Sequence, residues 1–175
     1  MATAPKRRKI IAQGKFLRLV NDNGWEYVER VKASGVVAVI AITADRKLVL
    51  TEQYRPPVQR SVIDLPAGLS GDITGQESEA LVEAAQRELL EETGYEAKVW
   101  KSVYSAPSSP GLTSEVIEYF QASNARPHSA GGGIDGEKIT THVISLCTIR
   151  RWLRARMSAG VFVDPKVYVA LAFLR

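Results

Sequence analysis

Apolar positions along the chain predict a set of short strands. Residues 35–42 are apolar without alternation and too few for a convincing helix, a pattern typical of a strand covered on both faces. Residues 47–53, across a turn at 44–46, predict its hairpin partner. Further strand-forming segments lie at residues 62–65, 98–104, 116–121 and 140–146. We interpret the intervening residues 69–78 and 122–136 as loops, because they are rich in Gly, Ser, Asp and Thr or contain three consecutive glycines.

The N-terminal part predicts a separate hairpin. β-prone residues 16–20 and 25–31 flank Asn23-Gly24, and both turn residues tolerate the positive φ that a tight hairpin needs. Such a hairpin is marginal in water by itself, so we expect it to dock on another surface.

Three segments have helical character. Residues 79–93 carry apolar side chains at i, i+3 and i+7 and are followed by Gly94, a favoured residue just past a helix end. Residues 149–158 show an apolar stripe, and the last helix should begin with Asp164 as N-cap and Pro165 after it. Strands mixed with helices in the middle and at the end predict an α/β sandwich.

Length and composition limit the class of protein. The chain has 175 residues, 45% hydrophobic and 24% charged, as expected of a single soluble domain. No apolar run is long enough to span a bilayer, and no secretory signal is evident. The single cysteine, Cys147, excludes an internal disulfide framework. Its apolar strand context predicts a buried structural thiol, and the cytoplasm is the expected compartment.

The net charge of +4 is modest and does not predict nucleic-acid binding. We interpret the first basic cluster, residues 6–9, as a solvated and frayed terminus. We interpret the second cluster as the solvent-exposed face of the helix at 149–158; it consists of Arg150, Arg151, Arg154 and Arg156. Two histidines, His128 and His142, are too few to suggest a histidine metal-binding site.

The strongest chemical signal is a group of carboxylates on the helix at 79–93. Glu88, Glu91 and Glu92 fall at i, i+3 and i+4 and share one face, where like charges repel. They also lie near the C-terminal end, where the helix dipole disfavours anions. Carboxylate oxygens are suitable ligands for Mg²⁺, and Arg87 can orient a carboxylate from behind. By spacing alone, a solvated acidic face remains the more ordinary explanation.

The flanking residues favour the metal site, because the segment resembles the Nudix box. Residues 87–94 read Arg-Glu-Leu-Leu-Glu-Glu-Thr-Gly, and Glu79 stands at the family's interval before Arg87. The family's leading glycine best matches Gly68, which implies a five-residue loop insertion before Glu79. The resemblance implies a Nudix α/β/α sandwich with a mixed sheet, over residues 34–175, preceded by an antiparallel β-hairpin extension at 1–33.

The same resemblance implies roles for the box residues. Glu88 and Glu92 would be the principal ligands of Mg²⁺, with Mn²⁺ as the alternative ion. Glu91 would share a second ion, the carbonyl of Ala67 would supply a further oxygen, and Arg87 would support the catalytic carboxylates.

Three segments outside the box resemble ADP-ribose and nucleoside diphosphate sugar pyrophosphatases. They are residues 52–57 with 63–68, residues 109–115, and residues 135–137 with 164–168. The implied reaction splits the diphosphate of ADP-ribose, or of a related compound, into AMP and ribose 5-phosphate. Members of this branch are usually homodimers in which the N-terminal strands of one subunit cover the site of the other. We expect no membrane partner.

In that branch a glutamate on the loop before the last strand acts as general base, and Glu137 matches it. Glu115 and Asp135 are the alternatives. Arg55 can pair with the diphosphate through its planar fork; a salt bridge to Glu52 or Asp64 would explain it equally well.

The resemblance also implies contacts to the rest of the substrate. Trp25 would stack on the base, although packing within the hairpin is an equal alternative. Glu26 and Arg30 fall where the branch contacts the base, and Leu69 and Glu115 complete the implied substrate-binding set.

Two competing functions remain open at this point. One is a Nudix enzyme for another substrate class, such as GDP-mannose, dinucleoside polyphosphates or nucleoside triphosphates. The other is a non-catalytic sensor that binds ADP-ribose, which the complete set of box carboxylates disfavours.

Overall fold

The computed structural model describes residues 8–75, 77–134 and 136–174. The elements of these residues are, in chain order, β1 (Arg8–Gln13), β2 (Leu17–Asp22), β3 (Trp25–Arg30), β4 (Gly35–Thr43), β5 (Lys47–Arg55), a 3₁₀ turn (Pro56–Val58), β6 (Arg60–Asp64), β7 (Ala67–Ser70), α1 (Leu81–Thr93), β8 (Tyr95–Glu96), β9 (Val99–Pro107), β10 (Val116–Pro127), β11 (Thr140–Ser145), α2 (Ile149–Ser158), β12 (Phe162–Val163) and α3 (Pro165–Phe173).

The main sheet is mixed and lies between helices. Its strand order is β12-β6-β5-β4-β10-β8, with β11 paired to β5, β7 to β4 and β9 to β10. β4 and β10 run parallel, whereas β4 and β7 run antiparallel. Helix α1 packs on one face in one apolar cluster, and α2 and α3 pack on the other face in a second cluster. The predicted α/β/α sandwich with a mixed sheet is confirmed.

Strand β4 is the centre of both clusters. Val37, Val39 and Ala41 face the α1 layer, and Ala38 and Ile40 face the α2 and α3 layer. All five are fully buried. The uninterrupted apolar run therefore indicated a strand buried on both faces correctly.

The N-terminal residues form a three-stranded antiparallel sheet, β1-β2-β3. Its predicted turn is present, with φ of 55° at Asn23 and 90° at Gly24. This sheet rests on the main body through Val28, whose N–H donates to the carbonyl of Leu112 at 2.9 Å. The domain boundary between residues 33 and 34 stays a prediction.

Part of the basic terminus is more ordered than the sequence predicted. Arg8 and Lys9 belong to β1, and Arg8 pairs with Glu29 on β3. The frayed-terminus interpretation is therefore wrong for these two residues, because cross-strand pairing satisfies both their backbone and the Arg8 charge. Lys6 and Arg7 lie outside the described residues.

Two predicted loops are shorter than expected. Strand β10 continues to Pro127, because its second half still pairs with β4 and Arg126 pairs with Glu96 on β8. Leu69 and Ser70 belong to β7, where Leu69 pairs with Val36 of β4. In both cases hydrogen bonding to a neighbouring strand outweighs a turn-forming composition.

Two side chains are placed differently from the prediction. Cys147 is exposed, because β11 ends at Ser145 and Cys147 lies in the turn before α2. Arg156 does not belong to the solvent-exposed face of α2, because its Nη2 donates to both carboxylate oxygens of Glu52, at 2.6 and 2.7 Å. The other three arginines of that helix are exposed, as predicted.

Among the helices of the described residues, none is long and apolar enough to cross a membrane.

The packing of α1 gives a stability prediction. Leu89 is fully buried between α1 and the sheet. Leu89→Ala should lower the free energy of unfolding by about 2–5 kcal/mol, because it removes apolar contacts and leaves a cavity. Urea titration measures the change. Leu112→Ala is the control, since Leu112 is 61% exposed and should change stability little; equal losses in both variants would contradict the assigned core.

Candidate active site

Helix α1 is fixed at both ends by backbone interactions. At its start, the N–H of Ala80 donates to the carboxylate of Glu83 at 3.2 Å. At its end, Gly94 has φ of 74° and its N–H donates to the carbonyl of Leu90 at 2.8 Å. A side chain on Gly94 would also meet the carbonyl oxygen of Ser129 at 2.2 Å. Glycine is required there both by conformation and by space.

Arg87 organises the acidic face of α1. It binds Glu79 through two hydrogen bonds, at 3.0 and 3.1 Å. Its Nη1 donates to Glu88 at 2.9 Å and to Glu91 at 3.2 Å, and its Nη2 donates to the carbonyl of Leu69 at 2.8 Å. The expected orienting role of Arg87 corresponds to these contacts. The sequence did not indicate Glu79 as its bidentate partner.

Glu92 is in a different environment from Glu88 and Glu91. Its side chain is buried, and it accepts a hydrogen bond from the N–H of Ala67 at 3.0 Å. Burial raises the pKa of Glu92 to about 8, against the opposing effect of the Ala67 hydrogen bond. None of the ion pairs within the described residues gives Glu92 a cationic partner.

Gly68 permits the close approach of β7 to α1. A Cβ atom at this position would lie 2.0 Å from the carboxyl group of Glu88, so any larger residue would displace that carboxylate. This contact agrees with Gly68 as the equivalent of the leading glycine of the box.

A pocket of about 350 Å³ opens over Glu88 and Glu92. The sequence-predicted residues that line it are Arg30, Arg55, Ala67, Leu69, Glu88, Glu92, Glu115 and Glu137. These residues come from β3, β5, β7, α1 and two loops, so the fold brings most of the predicted set to one place.

Other predicted residues do not line this pocket. Trp25 and Glu26 are exposed at the far end of β3, with Trp25 63% accessible. Most of the Trp25 side chain is therefore accessible to solvent in the single chain, and both its stacking on a base and its packing within the hairpin stay predictions. Glu91 and Arg87 stand behind the pocket, with the Glu91 carboxylate bonded to Arg87.

The three candidates for general base differ in their surroundings. Glu137 lines the pocket on an exposed loop, near enough for its charge to contribute to the raised pKa of Glu92. Glu115 accepts a hydrogen bond from Arg30 at 2.6 Å. Asp135 lies outside the described residues.

The Glu137 loop is anchored to the end of α1. The N–H of Gly132 donates to the carbonyl of Glu92 at 2.9 Å, and the N–H of Gly133 donates to that of Glu91 at 3.0 Å. The loop therefore starts from a fixed point beside the carboxylates.

Arg55 is exposed at the end of β5 and faces the pocket. Neither predicted ion pair forms: Glu52 binds His142 and Arg156, and Asp64 binds Lys166. Within the described residues, its guanidinium is thus free for an anion.

Three pocket residues had no role in the sequence prediction. Asp72, in the inserted loop, lies 3.9 Å from Arg87 and lines the pocket. Asp64 is 4% exposed and pairs with Lys166 at 3.0 Å, yet burial raises the pKa of Asp64 to about 6. Lys166 also pairs with Asp164 at 2.9 Å. Asp64 and Lys166 belong to segments 63–68 and 164–168, which carried the resemblance, but neither was predicted to bind substrate or metal.

The donor set suits a hard divalent cation. In the described parts of the chain, no three Asp, Glu, His or Cys side chains are grouped as a metal site, and Glu88 and Glu91 are hydrogen-bonded to Arg87. Glu88 and Glu92 nevertheless face one pocket. The burial of Glu92 is an electrostatic cost that a cation beside it would offset.

Fold and site together define a class, an α/β/α sandwich in which the helix on one face presents carboxylates held by an arginine. The chain matches the NUDIX domain family over residues 33–141. It belongs to the Nudix family, which confirms the resemblance, and the expected enzyme class, a Nudix pyrophosphatase, is confirmed with it.

Relatives of the chain cover it to different extents. It is 31% identical to the methanol dehydrogenase activator of Bacillus methanolicus, over 84% of this chain and 75% of that protein. It is 39% identical to an ADP-ribose pyrophosphatase of Bacillus subtilis, over 54% and 48%. It is 31% identical to an ADP-sugar pyrophosphatase of Mus musculus, over 91% and 82%.

A crystal structure of an ADP compounds hydrolase has the same fold. The TM-score is 0.68 at 21% identity, and the match covers 96% of this chain and 89% of the other.

The burial of Glu92 gives a prediction about pH and stability. The pKa of Glu92 is raised from 4.5 to about 8 in the folded chain, so the folded state holds this proton more tightly than the unfolded state. Wild-type stability should therefore fall as pH rises from about 4.5 to 8. Glu92→Gln lacks this loss, so without divalent metal its Tm should increasingly exceed the wild-type Tm over that range. A constant Tm difference between pH 5 and pH 9 would contradict the assignment.

Proposed function

We propose that this chain hydrolyses the diphosphate of ADP-ribose, or of a related nucleoside diphosphate sugar, to a nucleoside monophosphate and a sugar phosphate. One observation carries the proposal: Glu88 and Glu92 share a pocket with Arg55 and Lys166. Carboxylates for a metal and cations for phosphate oxygens are therefore within reach of one bound diphosphate. Similarity to an ADP-ribose pyrophosphatase and an ADP-sugar pyrophosphatase supports this substrate class.

Different residues of the chain would bind the metal ion and the phosphate oxygens. Glu88, Glu92 and the carbonyl of Ala67 would hold Mg²⁺, with Mn²⁺ as the alternative. When bound, a divalent cation neutralises and polarises the diphosphate. Arg55 pairs with the phosphate oxygens through its planar fork. The proposed share of Glu91 in a second ion requires its release from Arg87, and Leu69 lines the pocket wall.

Glu137 is the proposed general base. It takes a proton from the attacking water, whose oxygen bonds to one phosphorus while the bridging oxygen leaves with the other phosphate. The glycines around the loop allow Glu137 to approach when substrate is bound. The ion pair of Glu115 with Arg30 favours a binding role for Glu115 over base catalysis.

The N-terminal sheet supports the proposal of a homodimer. Trp25 and Glu26 do not reach the pocket of their own chain. Stacking of Trp25 on a substrate base, with Glu26 nearby, is then explained if residues 1–33 cover the site of a second copy, whereas Arg30 also lines the pocket of its own chain. Hydrolysis rates measured side by side on ADP-ribose, GDP-mannose, UDP-glucose and dGTP would distinguish this substrate class from other Nudix substrates. Release of AMP from ADP-ribose would exclude a sensor without catalytic activity.

The metal cluster gives the first activity prediction. Glu92→Gln keeps the size of the side chain but removes its charge, so AMP release from ADP-ribose should fall by at least roughly 10²-fold. Mg²⁺ should raise the Tm of the wild type and have less effect on the variant. Glu118→Gln, on β10 away from the pocket, is the matched control. Near-normal turnover of Glu92→Gln with an intact fold would overturn the metal assignment.

The proposed general base, Glu137, gives the second activity prediction. Glu137→Gln should lower kcat by roughly 10²–10⁴-fold. Affinity for ADP-ribose and Mg²⁺ should change little, because Arg55, Glu88 and Glu92 are untouched. Steady-state kinetics and calorimetric binding measure the two quantities separately. Wild-type kcat in Glu137→Gln, with loss in Glu115→Gln or Asp135→Asn, would move the base to one of those residues.

A further inference from the structure

The three consecutive glycines at 131–133 lie against the C-terminal end of α1. The last turn of an α-helix leaves carbonyl groups without a partner inside the helix. Here Gly132 donates to the carbonyl of Glu92 at 2.9 Å, and Gly133 donates to that of Glu91 at 3.0 Å. All three glycines have positive φ, between 64° and 105°. The segment is therefore bonded to the backbone of two residues whose carboxylates belong to the candidate active site.

Gly132 also closes the loop that follows it. Its carbonyl accepts a hydrogen bond from the N–H of Ile139 at 3.2 Å. The side chain of Ile139 is buried, so packing holds this end of the loop as well. Inside the loop, the N–H of Glu137 donates to the carbonyl of Ile134 at 3.0 Å. Both ends of the segment that carries Glu137 thus meet at Gly132, which is fixed to α1.

Gly133 is the point at which the anchored segment touches Glu137. A Cβ atom at position 133 would lie 2.7 Å from both the Cβ and the Oε2 of Glu137, and 3.1 Å from the Cδ1 of Ile139. Carbon atoms in contact normally lie about 3.5–4.0 Å apart. The Oε2 atom could rotate away, but the Cβ of Glu137 moves only with its backbone. A side chain at 133 would therefore shift Glu137 by about 1 Å.

We propose that Gly133 is a positioning residue for Glu137, the proposed general base. Its lack of a side chain lets Glu137 pack directly on the loop backbone at the wall of the carboxylate pocket. Its hydrogen bond to the carbonyl of Glu91 sets that contact relative to α1. The freedom that Glu137 needs in order to approach a substrate then begins after Gly133. This inference rests on the proposed function, because the position of Glu137 matters only if Glu137 acts on the substrate.

Gly133→Ala tests the contact. The kcat for AMP release from ADP-ribose should fall by roughly 10–10²-fold, because a displacement of about 1 Å takes the base out of its productive geometry. KM and the affinity for Mg²⁺ should change little, since Arg55, Glu88 and Glu92 are untouched. Steady-state kinetics and calorimetry measure these quantities separately.

Gly136→Ala is the matched control. The φ of Gly136 is 86°, the same as that of Gly133. Apart from its chain neighbours, no heavy atom of the described residues lies within 4 Å of a Cβ built at Gly136. The control therefore carries similar backbone strain without the contact to Glu137, and its kcat should fall by no more than about 3-fold. Equal losses in the two variants would overturn the proposal.

A double variant separates positioning from damage to the fold. In Glu137→Gln, the further change Gly133→Ala should lower kcat by less than about 2-fold, because the group that it displaces no longer acts as a base. Losses that multiply would show that the substitution acts on the fold instead, and would contradict the positioning role.

Hydrogen exchange tests the anchor without turnover. The amides of Gly132 and Gly133 should exchange as slowly as those in the last turn of α1. Exchange at the rate of unprotected amides would overturn the proposal even if Gly133→Ala did not fold. Wild-type kcat in Glu137→Gln would remove the base and this proposal with it. Failure of the wild type to release AMP from ADP-ribose would instead contradict the proposed function, while the exchange rates would still test the anchor.

Discussion

The arrangement of the candidate active site depends on the guanidinium of Arg87. Without a cation, Glu88, Glu91 and Glu92 would repel one another at the unfavourable end of the helix dipole. Arg87 offsets this repulsion and also binds the carbonyl of Leu69, which ties α1 to β7. Hydrogen bonds to Glu79 contribute most to the raised pKa of the Arg87 guanidinium, so it is charged at every relevant pH. A planar fork can hold all these partners at once; a lysine could not.

Glu92 differs from Glu88 and Glu91 because Arg87 does not bind its carboxylate. Its burial and single backbone hydrogen bond leave the carboxylate partly uncompensated, which costs stability in the chain alone. Arg87 binds Glu88 and Glu91 but not Glu92, so Glu92 is the one of the three carboxylates that a divalent ion would have to compensate. A buried carboxylate without a cationic partner is unfavourable for folding. Such exceptions are typical of functional sites, where ligand binding takes precedence over stability.

Two cations that line the carboxylate pocket are themselves held by carboxylates. Lys166, held by Asp64 and Asp164, lines both the carboxylate pocket and a neighbouring surface groove that contains Phe162. Arg30, bonded to Glu115, stands on the side of the N-terminal sheet. Both cations are positive, so they attract the phosphates of a diphosphate without distinguishing one phosphate from the other. The direction in which the substrate lies must therefore depend on contacts other than these two charges.

The sequence alone determined what is local: the doubly buried β4, the turn at Asn23-Gly24, the box on α1 and the cap at Asp164. Each depends on spacing within a few residues, where periodicity and capping act directly. Only the tertiary structure decided which distant groups meet. The pairing of β10 with β4 and β8 extended that strand to Pro127, and the contact of Arg156 with Glu52 removed an arginine from the solvated face. The pairing of Lys166 with Asp64 joins residues about a hundred positions apart. Such contacts depend on strand register and on which charges packing excludes from water, and no local pattern contains either.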